Sequence, residues 1–330
     1  GVHEYSTVTG AWSDQRSAYA SARSTRATWA RGAHLLKFGG EWYGVSQSAF
    51  RDVQARGFLT FVQQAFTGNA LADLLLGLPV VTGGARLDNP QQLRARSWSL
   101  FAHDEWRASN ALTVSAGLRY DYVAPPYDEE DRANLYDIAQ GTVVPVRTMG
   151  MPRGGYDPDR NNFAPRAGFS WALDRESRQV VRGGYGIYFN QGALATSEGL
   201  YFNPPYFNLN VNIASTTLTS PFPASPGFFP QSATAYQRDL QTPWMEHWNL
   251  AYQRQLGRSR MFEAAYVGSR GHDLISARDA NQPAPRTVVP NLRPNPLFAD
   301  VTLIESRGSS RYNAMQIKFQ QRADVGLTAL

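Results

Sequence analysis

The chain has 330 residues, 12% of them aromatic, with 28 glycines and no cysteine. That length holds a large core or two domains, the aromatic and glycine content favours strands joined by tight turns, and the lack of thiols excludes disulfides and cysteine-ligated metal. The net charge of +5 comes almost wholly from arginine, since lysine occurs only at Lys37 and Lys318; the arginines are scattered singly, which excludes the basic run of a nucleic-acid arm and leaves an arginine-biased composition or an anion-attracting surface.

In chain order, residues 17–30 alternate weakly, with Arg23, Thr25, Ala27 and Trp29 on one face. After the turn Arg31-Gly32-Ala33, residues 34–47 set Leu36, Phe38, Gly40 and Trp42 against Lys37, Glu41 and Tyr43. Side chains of a strand alternate between two faces, so both segments read as strands. A short β stretch at 58–62 precedes the run GNALADLLLGLP, where Leu71, Leu74, Leu75 and Leu78 fall at helical spacing and Gly77 and Pro79 are stop signals. Asp73, Gly77 and Pro79 interrupt the longest apolar window, 70–81, so no helix spans a membrane; strands that do so escape such a scan, because half of each is polar.

Residues 92–106 place Trp98, Leu100 and Ala102 opposite Ser99, Phe101 and His103. Past a turn at Ser109-Asn110 comes the cleanest alternation: Leu112, Val114, Ala116, Leu118, Tyr120 and Tyr122 against Thr113, Ser115, Gly117, Arg119 and Asp121. A loop rich in Pro, Gly and Asp then leads to a hairpin at 161–191. Its first half sets Phe163, Pro165, Ala167, Phe169 and Trp171 against Ala164, Arg166, Gly168 and Ser170. Its second half sets Val181, Gly183, Tyr185, Ile187 and Phe189 against Arg182, Gly184, Gly186 and Tyr188. After a loop rich in Asn, Pro and Phe, residues 244–256 direct Trp248, Leu250 and Tyr252 one way and His247, Asn249 and Gln253 the other. A strand at 261–268, a Pro-rich loop to Arg311, and a strand at 312–321 follow, the last with Met315, Ile317 and Phe319 opposite Gln316, Lys318 and Gln320.

Connections alternate short and long once 48–91 is taken as one decorated loop. Outer-membrane barrels have that asymmetry, and loops beyond about fifteen residues are uncommon in compact domains. Trp29, Trp106 and Trp171 lie just before short turns; Trp42, Trp98, Tyr120, Tyr122, Phe163, Phe189 and Trp244 lie at the opposite ends, as in two interfacial girdles. The expected fold is an all-β antiparallel transmembrane β-barrel, partial, with nine strands and a tenth beginning near Leu327. Alternation alone leaves open which face meets water, so a soluble all-β carbohydrate-binding module remains the alternative. On the barrel reading, Leu118→Arg costs about 2–4 kcal/mol at the bilayer midplane and Arg119→Leu far less.

No catalytic or metal pattern emerges. The five histidines (His3, His34, His103, His247, His272) form no HExxH or HxH and read as lumen or turn residues. Asp157, Asp159 and Asn161 resemble half a calcium loop, but Asn162 stands where the turn glycine belongs. Asp128, Glu129, Glu130, Asp131 and Asp137 read as a solvated external loop, with a divalent-cation site as the alternative. The expected lumen-facing set is Arg119, Asp121, Arg166, Arg182, His247, Glu263 and Lys318. The external loops are 48–91, 123–160, 190–241 and 269–311. Their aromatics Tyr201, Phe202, Tyr206, Phe207, Phe222, Phe228 and Phe229 either contact a ligand or pack the loops together.

The stretches GAHLLKFGGEW, FTGNALADLLLGLP, SLFAHDEWRASNALTVSAGLRYD, NNFAPRAGFSWAL, VVRGGYGIYFNQ, PWMEHWNLAYQRQL, FEAAYVGSRGHDL and SSRYNAMQIKFQQR span most of the chain in order. Together they resemble the barrel of Oar-like TonB-dependent receptors. The resemblance implies part of a 22-stranded barrel, with a signal peptide, a plug, a TonB box, often a carboxypeptidase-regulatory-like domain and C-terminal strands all lying outside these residues. It implies outer-membrane lipid, lipopolysaccharide, a TonB-type energy-coupling protein and an unidentified ligand as partners, no nucleic acid, no cofactor and no enzymatic activity. The N-terminal GVHEYS has neither a basic nor an apolar signal region, so the chain is expected to be a fragment of a longer precursor.

Overall fold

The structure is a computed structural model that describes residues 12–52, 56–87, 90–190, 197–200, 202–214, 216–222, 230–283, 293–322 and 328–329. In chain order its elements are β1 (Trp12–Arg31), β2 (His34–Asp52), β3 (Phe58–Thr60), α1 (Ala70–Leu76), β4 (Val81–Leu87), β5 (Gln91–Arg107), β6 (Leu112–Val123), β7 (Tyr127–Asp128), β8 (Asn134–Asp137), β9 (Thr142–Pro145), β10 (Phe163–Ala172), β11 (Gln179–Phe189), β12 (Phe207–Ile213), β13 (Gln231–Tyr236), β14 (Trp244–Leu256), β15 (Arg260–Asp279), β16 (Phe298–Arg322) and β17 (Thr328–Ala329). One large sheet runs β1-β2-β5-β6-β10-β11-β14-β15-β16. Each of these nine strands is antiparallel to the next. β17 pairs with the end of β16, β7 with β5, and β13 joins β16 in parallel. Among the described residues the path stays open between β1 and β16.

Cross-strand partners share a face, so the register decides what each face carries. Trp42, Trp98 and Tyr122 form one row, and Pro165, Leu118 and Ala102 another. Tyr252 with Ala264 and Ile317 makes a third. This apolar face is uncovered: Leu118 is 49% exposed, Leu250 53% and Met315 71%. A soluble sandwich would bury these side chains against a second layer, and none of the described residues supplies one. The glycines inside strands make room for this face's bulk. A Cβ on Gly268 would lie 2.3 Å from the Trp248 ring, and one on Gly183 would lie 2.5 Å from Phe169.

The buried apolar clusters lie where the loops meet the long-loop ends of β5 and β16. One gathers Leu93, Ala133, Leu135, Val144, Val146, Met151, Leu200 and Tyr236; the other gathers Tyr136, Ala233, Ala235, Val301 and Leu303. They form a packed layer of loops over the long-loop ends of the strands. Four strands are longer than their alternation suggests: β1 starts at Trp12 and β2 runs on to Asp52, into the expected 48–91 loop. β15 runs on to Asp279 and β16 starts at Phe298, so much of the expected 269–311 loop is strand. Register shifts at Gly271/Leu274 and Leu274/Ile275 break the period there.

The helix lies where its leucine spacing and stop signals place it. Asn69 caps its N-terminus, accepting from the Leu71 and Ala72 amides, and Gly77 at φ 72° closes it. Its buried side is Asp73, while Leu75 is 79% exposed and Leu71, Leu74 and Leu76 are exposed with it. The Thr67 hydroxyl holds the Asp73 carboxyl below the usual carboxylate range, helped by the Thr67 and Phe66 amides and opposed by burial.

Candidate functional site

The face opposite the exposed apolar one carries the polar residues singled out from sequence. Arg119 is their hub. Its Nη2 donates to Glu41 Oε2 at 2.7 Å and to Ser99 Oγ at 2.7 Å, and its Nε donates to Asp121 Oδ1 at 2.9 Å. Strand register explains this. Glu41 lies opposite Ser99, Ser99 opposite Asp121, and Phe101 opposite Arg119, so all share one face. Arg166 lies over the Tyr188 ring at 4.3 Å, and His247 meets the same ring edge-on at 5.4 Å. Lys318 stands directly opposite Glu263. A cleft of about 330 Å³ lies between Arg26, Lys37, Glu41, His103, Arg119 and Arg166. Arg182 lines a separate cleft at the short-turn end with Arg178, Arg258 and Arg260. Arg119 and Asp121 are thus brought together, Arg166 joins His247 through Tyr188, and Arg182 and Lys318 lie apart from both.

In the loop layer, Phe202 packs against the first buried cluster and meets Phe207 edge-on at 5.4 Å. Tyr206 lies under Arg132 at 4.8 Å. Phe207 opens β12 opposite Leu87, and Phe222 lies against Gly57. Tyr201, Phe228 and Phe229 lie outside the described residues. The described loop aromatics touch other loop residues, and Phe222 remains 47% exposed. The residue that ties most of this layer together, Asn203, carries no signal in the sequence. It is buried, its Nδ2 lies 2.7 Å from the Asn134 carbonyl and 3.1 Å from that of Thr234, and its Oδ1 accepts from the Thr234 amide at 2.7 Å.

The acidic segment is solvated only in part: Glu129 and Glu130 are exposed as expected, whereas Asp128 is buried. Asp128 accepts from the backbone amides of Gln92, Glu130 and Arg132, and Glu129 pairs with Arg94. Asp131 pairs with Arg147 at 2.9 Å and with Arg153. Burial pushes the Asp131 carboxyl up, but the two guanidinium groups outweigh it and hold the group below the usual carboxylate range. Asp157 binds Arg238 at 2.8 Å and Asp159 accepts from the Thr242 amide at 2.9 Å, so this acidic pair ties the loops at 157–159 and 238–242. An open cleft of about 570 Å³ in the layer is bordered by Met151, Tyr236, Arg238, Arg278, Glu305 and Arg307.

Two histidines expected in lumen or turn positions sit with carboxylates on the exposed face. His34 Nδ1 is 2.7 Å from Asp104 Oδ2, its ring stacked on Trp106. His272 Nε2 is 2.7 Å from Glu246 Oε1, with Trp244 stacked on its ring at 4.0 Å. At the long-loop end Trp98 contacts Tyr120 and Tyr122, and Tyr120 contacts Phe163. At the short-turn end Trp29, Trp106 and Trp171 are exposed. These are the two girdles expected from sequence.

Among solved structures, the chain is similar to the outer membrane transporter YddB from Escherichia coli, with a TM-score of 0.56 and 16% identity over 92% of this chain and 30% of that one. It is also similar to the FrpB iron transporter from Neisseria meningitidis, with a TM-score of 0.49 and 10% identity over 93% of this chain and 34% of that one. The chain therefore spans about a third of the length of the structures it matches. No curated protein matches it in sequence. The family profile described as "Outer membrane beta barrel domain" matches residues 5–330. An uncovered apolar face, two aromatic girdles and an antiparallel wall are what such a domain requires in lipid. The chain belongs to the outer membrane beta barrel domain family and lies in the cell outer membrane.

Proposed function

We propose that the chain is part of the barrel wall of an Oar-like TonB-dependent receptor, with the polar face lining its lumen and the loop layer capturing ligand. The observation that carries this reading is the division of labour between faces. One side is apolar and uncovered, the other holds Arg119, Asp121, Arg166, Arg182, His247 and Lys318, and a packed loop layer sits at one end only. Within that layer the ligand enters the cleft between Met151, Tyr236, Arg238 and Arg307. In the whole protein a 22-stranded barrel encloses a plug, the plug meets a TonB-type coupling protein, and outer-membrane lipid and lipopolysaccharide surround the apolar face. The wall takes no part in covalent chemistry: it holds a polar passage across the bilayer, and the chain needs no cofactor for that.

The test is conductance of the full-length protein in planar bilayers bathed in potassium chloride. A plugged receptor stays closed and opens to large steps only when urea unfolds the plug. Steady conductance without urea, or none with it, sinks the reading.

A further inference from the structure

The lipid-facing side carries one cross-strand pair of like charge. Arg270 of β15 lies directly opposite Arg311 of β16, and both are exposed. Four residues along, the same face holds Tyr266 opposite Met315, so these guanidinium groups stem from lipid-facing positions. Like charges directly opposed in a sheet repel, and the arrangement favours a counter-ion. Among the described residues, the Glu246 carboxylate acts electrostatically on Arg270 but forms no ion pair with either arginine. Glu246, opposite Arg270 on its other side, is already engaged: the Tyr185 hydroxyl donates to Oε2 at 3.0 Å, and His272 holds Oε1 at 2.7 Å. Asp273 accepts the Trp244 indole N–H at 3.0 Å. Neither arginine forms an ion pair among the described residues.

The height of the pair is also informative. The row next to it on the long-loop side holds Trp244 opposite His272, and the row on the other side holds Asn313, whose Oδ1 accepts from the Tyr266 hydroxyl at 2.8 Å. The pair thus sits within the outer aromatic girdle, where headgroups meet the hydrocarbon. Elsewhere in that girdle Arg23 lies opposite Trp42, and Arg96 lies opposite Gly44 one row further out. A guanidinium matches phosphate bidentately, and two of them on one rigid strand pair fix its position.

We propose that Arg270 and Arg311 together bind a phosphate of an outer-leaflet glycolipid headgroup, one lipid molecule docking against β15 and β16 at the outer girdle. This rests on the outer-membrane location and not on the transport reading, so it stands or falls separately.

The experiment uses the full-length protein, delipidated in detergent and titrated with diphosphorylated lipid A under native mass spectrometry. The wild type is expected to retain lipid A, and R270Q/R311Q to bind it at least about tenfold more weakly. R270K/R311K, which keeps charge but loses the fork, should fall between. Arg258→Gln, which removes one charge at the short-turn end, should bind as the wild type does. Dephosphorylated lipid A should bind weakly, and inorganic phosphate should not displace the lipid. Equal retention by R270Q/R311Q, equal binding of the dephosphorylated lipid, or displacement by inorganic phosphate would each overturn the proposal. Heat-modified gel migration verifies folding, and Arg311→Gln alone is read in the same way if the double variant does not fold.

Discussion

Arg119 shows how far single residues can be read from the chain. Its place on the polar face follows from period-two alternation, since Leu118 and Tyr120 flank it. Its partners do not follow, because Glu41 lies 78 residues away and meets Arg119 only through the β2-β5-β6 register. That changes the expected mutational outcome. Arg119→Leu was expected to be mild beside Leu118→Arg; instead it removes a guanidinium 2.9 Å from Asp121, whose side chain is 4% exposed. The share lost at Glu41, 38% exposed, is screened by water. Losing a charge-assisted hydrogen bond to a buried carboxylate is predicted to cost about 1.5–3 kcal/mol, close to the roughly 2–4 kcal/mol for Leu118→Arg at the midplane. Urea titrations of refolding into liposomes measure both. A loss at Arg119→Leu within a few tenths of a kcal/mol of zero would mean that the network contributes nothing.

At the scale of elements, alternation located all nine wall strands but not the full length of β1, β2, β15 and β16. Within the bilayer each strand meets lipid on one side and polar surroundings on the other, and its sequence alternates accordingly. Beyond the bilayer the loop layer covers the strands, register shifts interrupt the period, and the two-face signal disappears. The helix was legible from its leucine spacing and its Gly77 stop, but its orientation was not: Ala70 and Asp73 turn inward and the leucines do not. The loop layer depends on polar ties that no spacing rule reveals, and Asn203 is the test of this. Asn203→Ala orphans the Thr234 amide and the Asn134 carbonyl in a buried setting, a loss of about 2–4 kcal/mol to this layer. Limited proteolysis should then cut within 197–214 and 230–243 well before the wall strands are attacked. Unchanged cleavage would show that the apolar clusters hold the layer without it.

For the molecule as a whole, the arrangement inverts that of a soluble protein. The apolar area of the wall faces outward, while the buried clusters form where the loops pack on the long-loop ends of β5 and β16. The solvent on the apolar side is therefore what the fold requires, and the chain lends itself to a direct measurement because it contains no cysteine. Single cysteines placed along β16 in the full-length protein can each carry a fluorophore, and refolding into liposomes of brominated lipid quenches those that touch hydrocarbon. Positions Met315, Ile317 and Phe319 should be strongly quenched and Gln316, Lys318 and Gln320 weakly, since partners across β15 place the two sets on opposite faces. Thr302, exposed on the same strand but opposite Asp279 at the far end of β15, should escape quenching, because β16 has by then left the hydrocarbon and entered the loop layer. Quenching that fails to alternate would put protein or water beside the apolar face. Quenching that alternates as far as Thr302 would move the loop layer into the membrane, where its buried polar ties could not be exchanged for water.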